Sequence, residues 1–182
     1  MSNPNHEPAN PKVSQLIGLL DHALEESPDR FGTQHWHSLL WNLHNVRPED
    51  WDTQPAQGSR TIRDIVQHIG MAFLAYDNHV FGDATRSWSE AAIDGVPPGE
   101  APAEMISWLR EAHSRFRNSA ASLTDSQLAE LCSWGAPWTY QRIIEVVIQH
   151  PFYHIGEINY VRAILQDNND WYHQDIGRVP EE

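Results

Sequence analysis

Two histidines, His150 and His154, stand four residues apart inside an apolar periodicity, and this pattern constrains the chain more than any other. On a helix, residues four apart project from one face a turn apart, so both imidazoles reach a common point. Ile143, Val147, His150, His154, Glu157, Val161 and Leu165 fall on one stripe at helical period, so the middle of a core-facing stripe is ionisable. Burying such groups without partners costs about 2–7 kcal/mol each. A divalent cation between the rings answers that cost. The competing reading is a pair of core or rim histidines satisfied by other partners.

Two protein ligands hold a cation weakly, which directs attention to a second apolar helix, predicted over Thr61 to Val80. Its stripe is Ile62, Ile65, Val66, Ile69, Phe73, Tyr76 and Val80, with His68 on the flank and Asp64 one turn before it. Taken alone, His68 reads as a rim histidine. Together with the pair it completes three histidines from two helices, the ligand set of an open catalytic site with a position left for water or substrate. Pro151, between the paired histidines, predicts a kink, because proline removes a helical hydrogen bond and crowds the carbonyl one turn earlier. A full break at Gln149 would part the two rings.

The remaining chain reads as further helices. Residues 1–11, with Pro4, Pro8 and Pro11, form a polar leader, and Val13, Leu16, Ile17, Leu20 and Leu24 predict a helix from Lys12 to Glu26 that Ser27-Pro28 ends. A second piece from Gln34 to Val46 puts Leu39, Leu40, Leu43 and Val46 on one side and His37, Trp41 and His44 on another. That second face is either a substrate contact or fourth metal ligand, or a polar rim around a buried indole. Arg47 to Arg60 and Glu90 to Glu100 are proline- and glycine-bearing loops. Pro102 to Ala121 is a long helix with Ile106, Leu109, His113, Phe116 and Ala120 inward, where His113 reads as a core histidine bonded to a carbonyl or water. Thr124-x-x-Gln127 has capping-box form and predicts a short helix to Leu131. Trp134 to Trp138 is a tight connection whose indoles, with Tyr140, either wall a pocket or join the core. On the last helix a second apolar row, Ile144, Ile148 and Ile155, must be covered by the bundle or by a second subunit.

These elements predict an all-α protein, a four-helix bundle with additional short helices over residues 12–166, followed by a polar tail over 167–182. The length of 182 residues suits one domain. A net charge of −13 and a pI near 5.1 argue against nucleic acid, whose phosphates need a basic stripe. Cys132 is the single cysteine, the N-terminus lacks a charged-then-apolar signal pattern, and no apolar run nears membrane-spanning length. The expectation is a soluble cytoplasmic protein without membrane partners.

Several segments carry a resemblance: Trp36-His37-Ser38-Leu39-Leu40, Arg47-Pro48-Glu49-Asp50, Gln54-Pro55, Thr61 through Ile69, and His150-x-x-x-His154-Ile155-Gly156-Glu157-Ile158. In order and spacing, across roughly residues 36 to 166, they resemble the DinB/YfiT superfamily. The resemblance implies a four-helix bundle whose divalent metal is held by one histidine of the second helix and two of an H-x-x-x-H on the last. Here those are His68, His150 and His154, the three reached from periodicity. The family often has glutamine or another polar residue where this chain has Glu157, and Pro151 is a departure. The resemblance also implies a homodimer, and members that are thiol-dependent transferases or isomerases.

Three neutral imidazoles leave a bound ion its full double charge, and zinc and nickel both suit such ligands. An ion of this kind brings the pKa of bound water from near ~16 toward ~7 and deprotonates a bound thiol. The chain offers no thiol suited to catalysis, so the thiol would be a low-molecular-weight substrate. Glu157 is the candidate catalytic residue, orienting a ligand or taking its proton, and Asp64 the candidate support of His68. A metal-dependent hydrolase and a non-catalytic metal- or ligand-binding module related to stress are the alternative readings.

Overall fold

A computed structural model describes residues 9–25, 37–84, 99 and 101–168. The start of the expected leader, the break after the first helix, nearly all of the loop from Glu90 and the tail past residue 168 lie outside the described residues.

Helix α1 runs Pro11–Leu24 and buries Val13, Ile17, Leu20, Ala23 and Leu24. Pro11 opens it, since a helix's first position needs no amide hydrogen and the ring presets φ, so the helix takes in the last residue assigned to the leader. The carboxylate of Asp125, distant in sequence, caps the helix by accepting from Lys12 N at 3.2 Å and Val13 N at 3.0 Å. Helix α2 is much shorter than its expected span, covering only Leu39–Leu43 in the described part, with Ser38 Oγ accepting from Trp41 N. A 3-10 turn at Pro48–Asp50 follows.

Helix α3 spans Ile62–Val80 behind a capping box: Thr61 Oγ1 accepts from Asp64 N at 3.1 Å, and Asp64 Oδ2 accepts from Thr61 N at 2.8 Å. Helix α4 spans Pro102–Ala121, as its periodicity predicts. The short helix expected after Thr124 is a 3-10 turn at Gln127–Ala129. Gln127 Oε1 takes both Thr124 N–H and Thr124 Oγ–H, and Glu130 N already closes on the Gln127 carbonyl, which ends the turn. The Trp134–Trp138 connection is pinned by Cys132 N donating to the Trp138 carbonyl at 2.9 Å. Helix α5, Tyr140–Gln166, starts behind Thr139 and continues through Pro151 without a break.

Among the described residues the four long helices pack in a ring: α1 against α4 and α5, and α3 against α4 and α5. One core fills it, from Leu20 and Leu24 through Ile65, Ile69 and Phe73 to Leu109, Phe116, Ile143 and Ile158. The row Ile144, Ile148 and Ile155 is buried within the single chain, so it requires no second subunit. No helix among the described residues is long and apolar enough to cross a membrane.

Candidate metal centre

The capping box fixes where α3 begins, and His68 follows two turns later. On α5, His150 and His154 keep their one-turn spacing because the helix absorbs Pro151, itself buried, rather than ending at Gln149. The three rings converge. His150 Nε2 lies 3.2 Å from His68 Nε2 and 3.1 Å from His154 Nε2, with ring centroids 4.5 to 5.1 Å apart. Each histidine offers one nitrogen to a common point, and these nitrogens all lie within 4.8 Å of one another.

The donor set fits a divalent ion. Bonds of ~2.0–2.1 Å to a tetrahedral metal separate its nitrogens by roughly 3.3–3.4 Å. His154 Nδ1 faces Glu157 Oε2 at 2.9 Å, and a carboxylate accepts there, so the neutral ring that ligates a metal has its proton on Nδ1 and its lone pair on Nε2. Whether it carries a proton or a lone pair, His150 Nε2 makes one good hydrogen bond and leaves its other contact without one, whereas a cation would satisfy all three nitrogens. Burial is graded: His154 is only 3% exposed, His150 half-buried and His68 exposed, which opens the cluster toward solvent on the α3 side. Burial, reinforced by the neighbouring His154 and His68 and by Arg60, pushes His150 down to about 4. Burial, with His154 and Arg60, also lowers His68, against a smaller opposing pull from Glu157. Both rings are therefore neutral near pH 7, the form that ligates metal.

Glu157 is more committed than its sequence position implied. Besides His154, it meets Arg60, whose Nη2 donates to both carboxylate oxygens at 2.7 and 2.6 Å. Burial works to raise its pKa, but the hydrogen bonds from His154 and Arg60 outweigh that and hold it below the usual glutamate range. Asp64 is spent on the Thr61 cap, so its carboxylate serves the helix start rather than His68. Sequence reasoning missed Arg60. A cation just ahead of a helix N-terminus is disfavoured by the dipole and calls for a carboxylate partner, the one signal that marked it.

The other candidates lie elsewhere. His113 is buried, its Nε2 3.2 Å from the Leu20 carbonyl and its ring edge-on to Phe73, as expected of a core histidine. His37 and His44 are exposed and stand outside the three-histidine group. Trp134 packs on Tyr76, His79 and Trp138, and Tyr140 stacks on Phe81, so these aromatics fill the end of α3 remote from His68. A cleft of about 360 Å³ between α1 and α5 has Leu16, Leu19, Leu128 and Ile148 in its wall, and none of the three histidines lines it.

The family model of the DinB superfamily matches residues 32–158. No curated protein and no solved structure gives a match. Because the matched span covers most of the chain, from α2 to the H-x-x-x-H of α5 with all three histidines inside it, the chain belongs to the DinB superfamily.

Proposed function

We propose that His68, His150 and His154 bind one divalent ion, zinc or nickel, and that the protein is a metal-dependent transferase acting on a low-molecular-weight thiol and an electrophile. The observation that carries this reading is the convergence of three Nε2 atoms, with His154 buried and His68 open to solvent. When bound, the ion would supply Lewis acidity toward a thiol or water. The chain's part is to hold the three rings together, orient His154 through Glu157 Oε2 and keep His68 at the open edge. The engagement of Glu157 by Arg60 and His154 favours a holding role for this carboxylate over proton abstraction. A holding role is also what a non-catalytic metal-binding module needs, and that is the second reading. A hydrolase would use the same open edge for water.

We further assign a homodimer in the cytoplasm. Tyr153 at 72% exposed and Tyr160 at 68% lie with Ile164 on the outer face of α5, an apolar surface suited to a second copy.

The deciding experiment is metal analysis of protein purified without a nickel column, then thiol consumption with a panel of electrophiles. About one ion per chain is expected, abolished when all three histidines become alanine; unchanged metal content in that variant refutes the site. Thiol consumption should require the ion. Glu157→Gln separates the roles of the carboxylate, because loss of a general base costs roughly 10²–10⁴-fold while loss of an orienting group costs less. A metal-replete protein inert toward every thiol and ester pair tested establishes the binding module instead.

A further inference from the structure

Arg60 lies outside every helix, one residue ahead of the Thr61 cap, yet it reaches across to α5. Its Nε donates to Glu157 Oε1 at 3.1 Å while Nη2 spans both oxygens. Two features separate this contact from an ordinary surface ion pair. Glu157 Oε2 is also the acceptor for His154 Nδ1–H, so the chain of contacts Arg60–Glu157–His154 ends on the most buried ring of the cluster. Arg60 also belongs to the segment that starts the His68 helix, so the clasp joins the entry of one ligand-bearing helix to the other.

A glutamate on a half-exposed helix face samples several rotamers, and only some present an oxygen to a ring nitrogen one turn earlier. A guanidinium that grips both oxygens selects among them, which a point charge does less well. Resting on the three-histidine reading above, we propose that Arg60 is a positioning residue: it locks Glu157 so that the carboxylate holds Nδ1–H of His154 and leaves Nε2 bare and aimed at the point shared with His150 and His68. Arg60 touches no ligand atom itself. It sets the tautomer and direction of one ligand through the carboxylate, and registers α3 against α5 at the level of the site.

The test uses the full chain as the native protein, Arg60→Gln, Arg60→Lys, Glu157→Gln and the double variant Arg60→Gln/Glu157→Gln. Two readouts are taken: the His154 tautomer in metal-free protein, by long-range proton–nitrogen NMR, and zinc affinity, by competition with a chromophoric chelator. Thermal melts of the metal-free variants verify the fold. Native His154 should be in the Nδ1–H form, and Arg60→Gln should mix the tautomers and weaken zinc by about tenfold or more, the usual cost of losing a group behind a metal ligand. Arg60→Lys should recover only part of the loss. In the Glu157→Gln background, removing Arg60 should cost less than about twofold, because the two act in series. Native tautomer and affinity in Arg60→Gln, or an equal loss with and without Glu157, overturns the proposal and leaves the metal site standing. A native protein that binds no zinc, yet whose His154 tautomer follows Arg60, overturns the metal reading and leaves the clasp standing.

Discussion

Gly70 sits two residues beyond His68, buried where α3 meets α4, and a methyl group there has nowhere to go. A Cβ built on its backbone falls well inside contact distance of Trp108 Cζ3 and Cη2, with Cε3 at 3.1 Å. Trp108 is itself buried, and its benzo ring is a rigid plate held between helices. In an exposed helix interior, Gly→Ala stabilises by about 0.8–1 kcal/mol through backbone entropy. At Gly70 that gain opposes overpacking, typically about 1–3 kcal/mol, and the depth of overlap puts this site near the upper end. The expected net loss is about 2 kcal/mol, or roughly 4–8 °C in Tm at about 2–4 °C per kcal/mol for a chain of this size. Gly18, in the interior of α1, is the internal control: nothing lies within 4 Å of a Cβ there, and it is exposed, so Gly18→Ala should raise Tm by about 2–4 °C. Thermal unfolding by circular dichroism, with both variants stripped of metal, reads the two shifts. Trp108→Leu should relieve part of the strain in the Gly70→Ala background. If Gly70→Ala raises Tm as Gly18→Ala does, the packing argument at the α3–α4 contact is wrong.

Removing metal should lower Tm by several degrees, since an ion bound only by the folded state adds about 2.7 kcal/mol at a hundredfold excess over its Kd; a melting curve unchanged by complete chelation would contradict a metal link between α3 and α5. Asn159 Nδ2 donates to Asn42 Oδ1 at 2.7 Å with both residues buried, so Asn159→Ala should cost about 1–3 kcal/mol in urea unfolding by removing the donor of a buried hydrogen bond. His113 has its pKa lowered by burial, which outweighs the opposing Leu20 carbonyl bond and the nearby Asp21 and Glu25. The unfolded chain then takes up this proton first, so stability falls as pH drops below about 6.5 toward the lowered folded-state value and levels off beneath it. Metal-free His113→Gln, followed by denaturation between pH 7.5 and 5, should show a shallower decline than native; parallel curves would show that His113 does not drive it.

Much of the architecture was legible in the chain, because helical period and capping are local. The stripes of α3 and α5, the start of α4 at Pro102 and its end at Ala121, and the same-face placement of His150 and His154 all follow from spacings within about two turns. The metal candidates shared that legibility, since an imidazole on an apolar stripe is conspicuous wherever it lies. Where a local pattern met competing local bonds it misled: Thr124-x-x-Gln127 opened a 3-10 turn, and Asp64 went to the Thr61 cap. Tertiary structure alone decided the rest. Arg60 and Glu157 are separated by 97 residues, His113 and the Leu20 carbonyl by 93, and no periodicity relates such pairs. Whether Ile144, Ile148 and Ile155 face a partner or their own bundle was likewise settled by how α1 and α2 close over α5. Sequence spacing determines which side chains share a helix face; which face meets which depends on the packing of the whole core, a sum over contacts that no single segment contains.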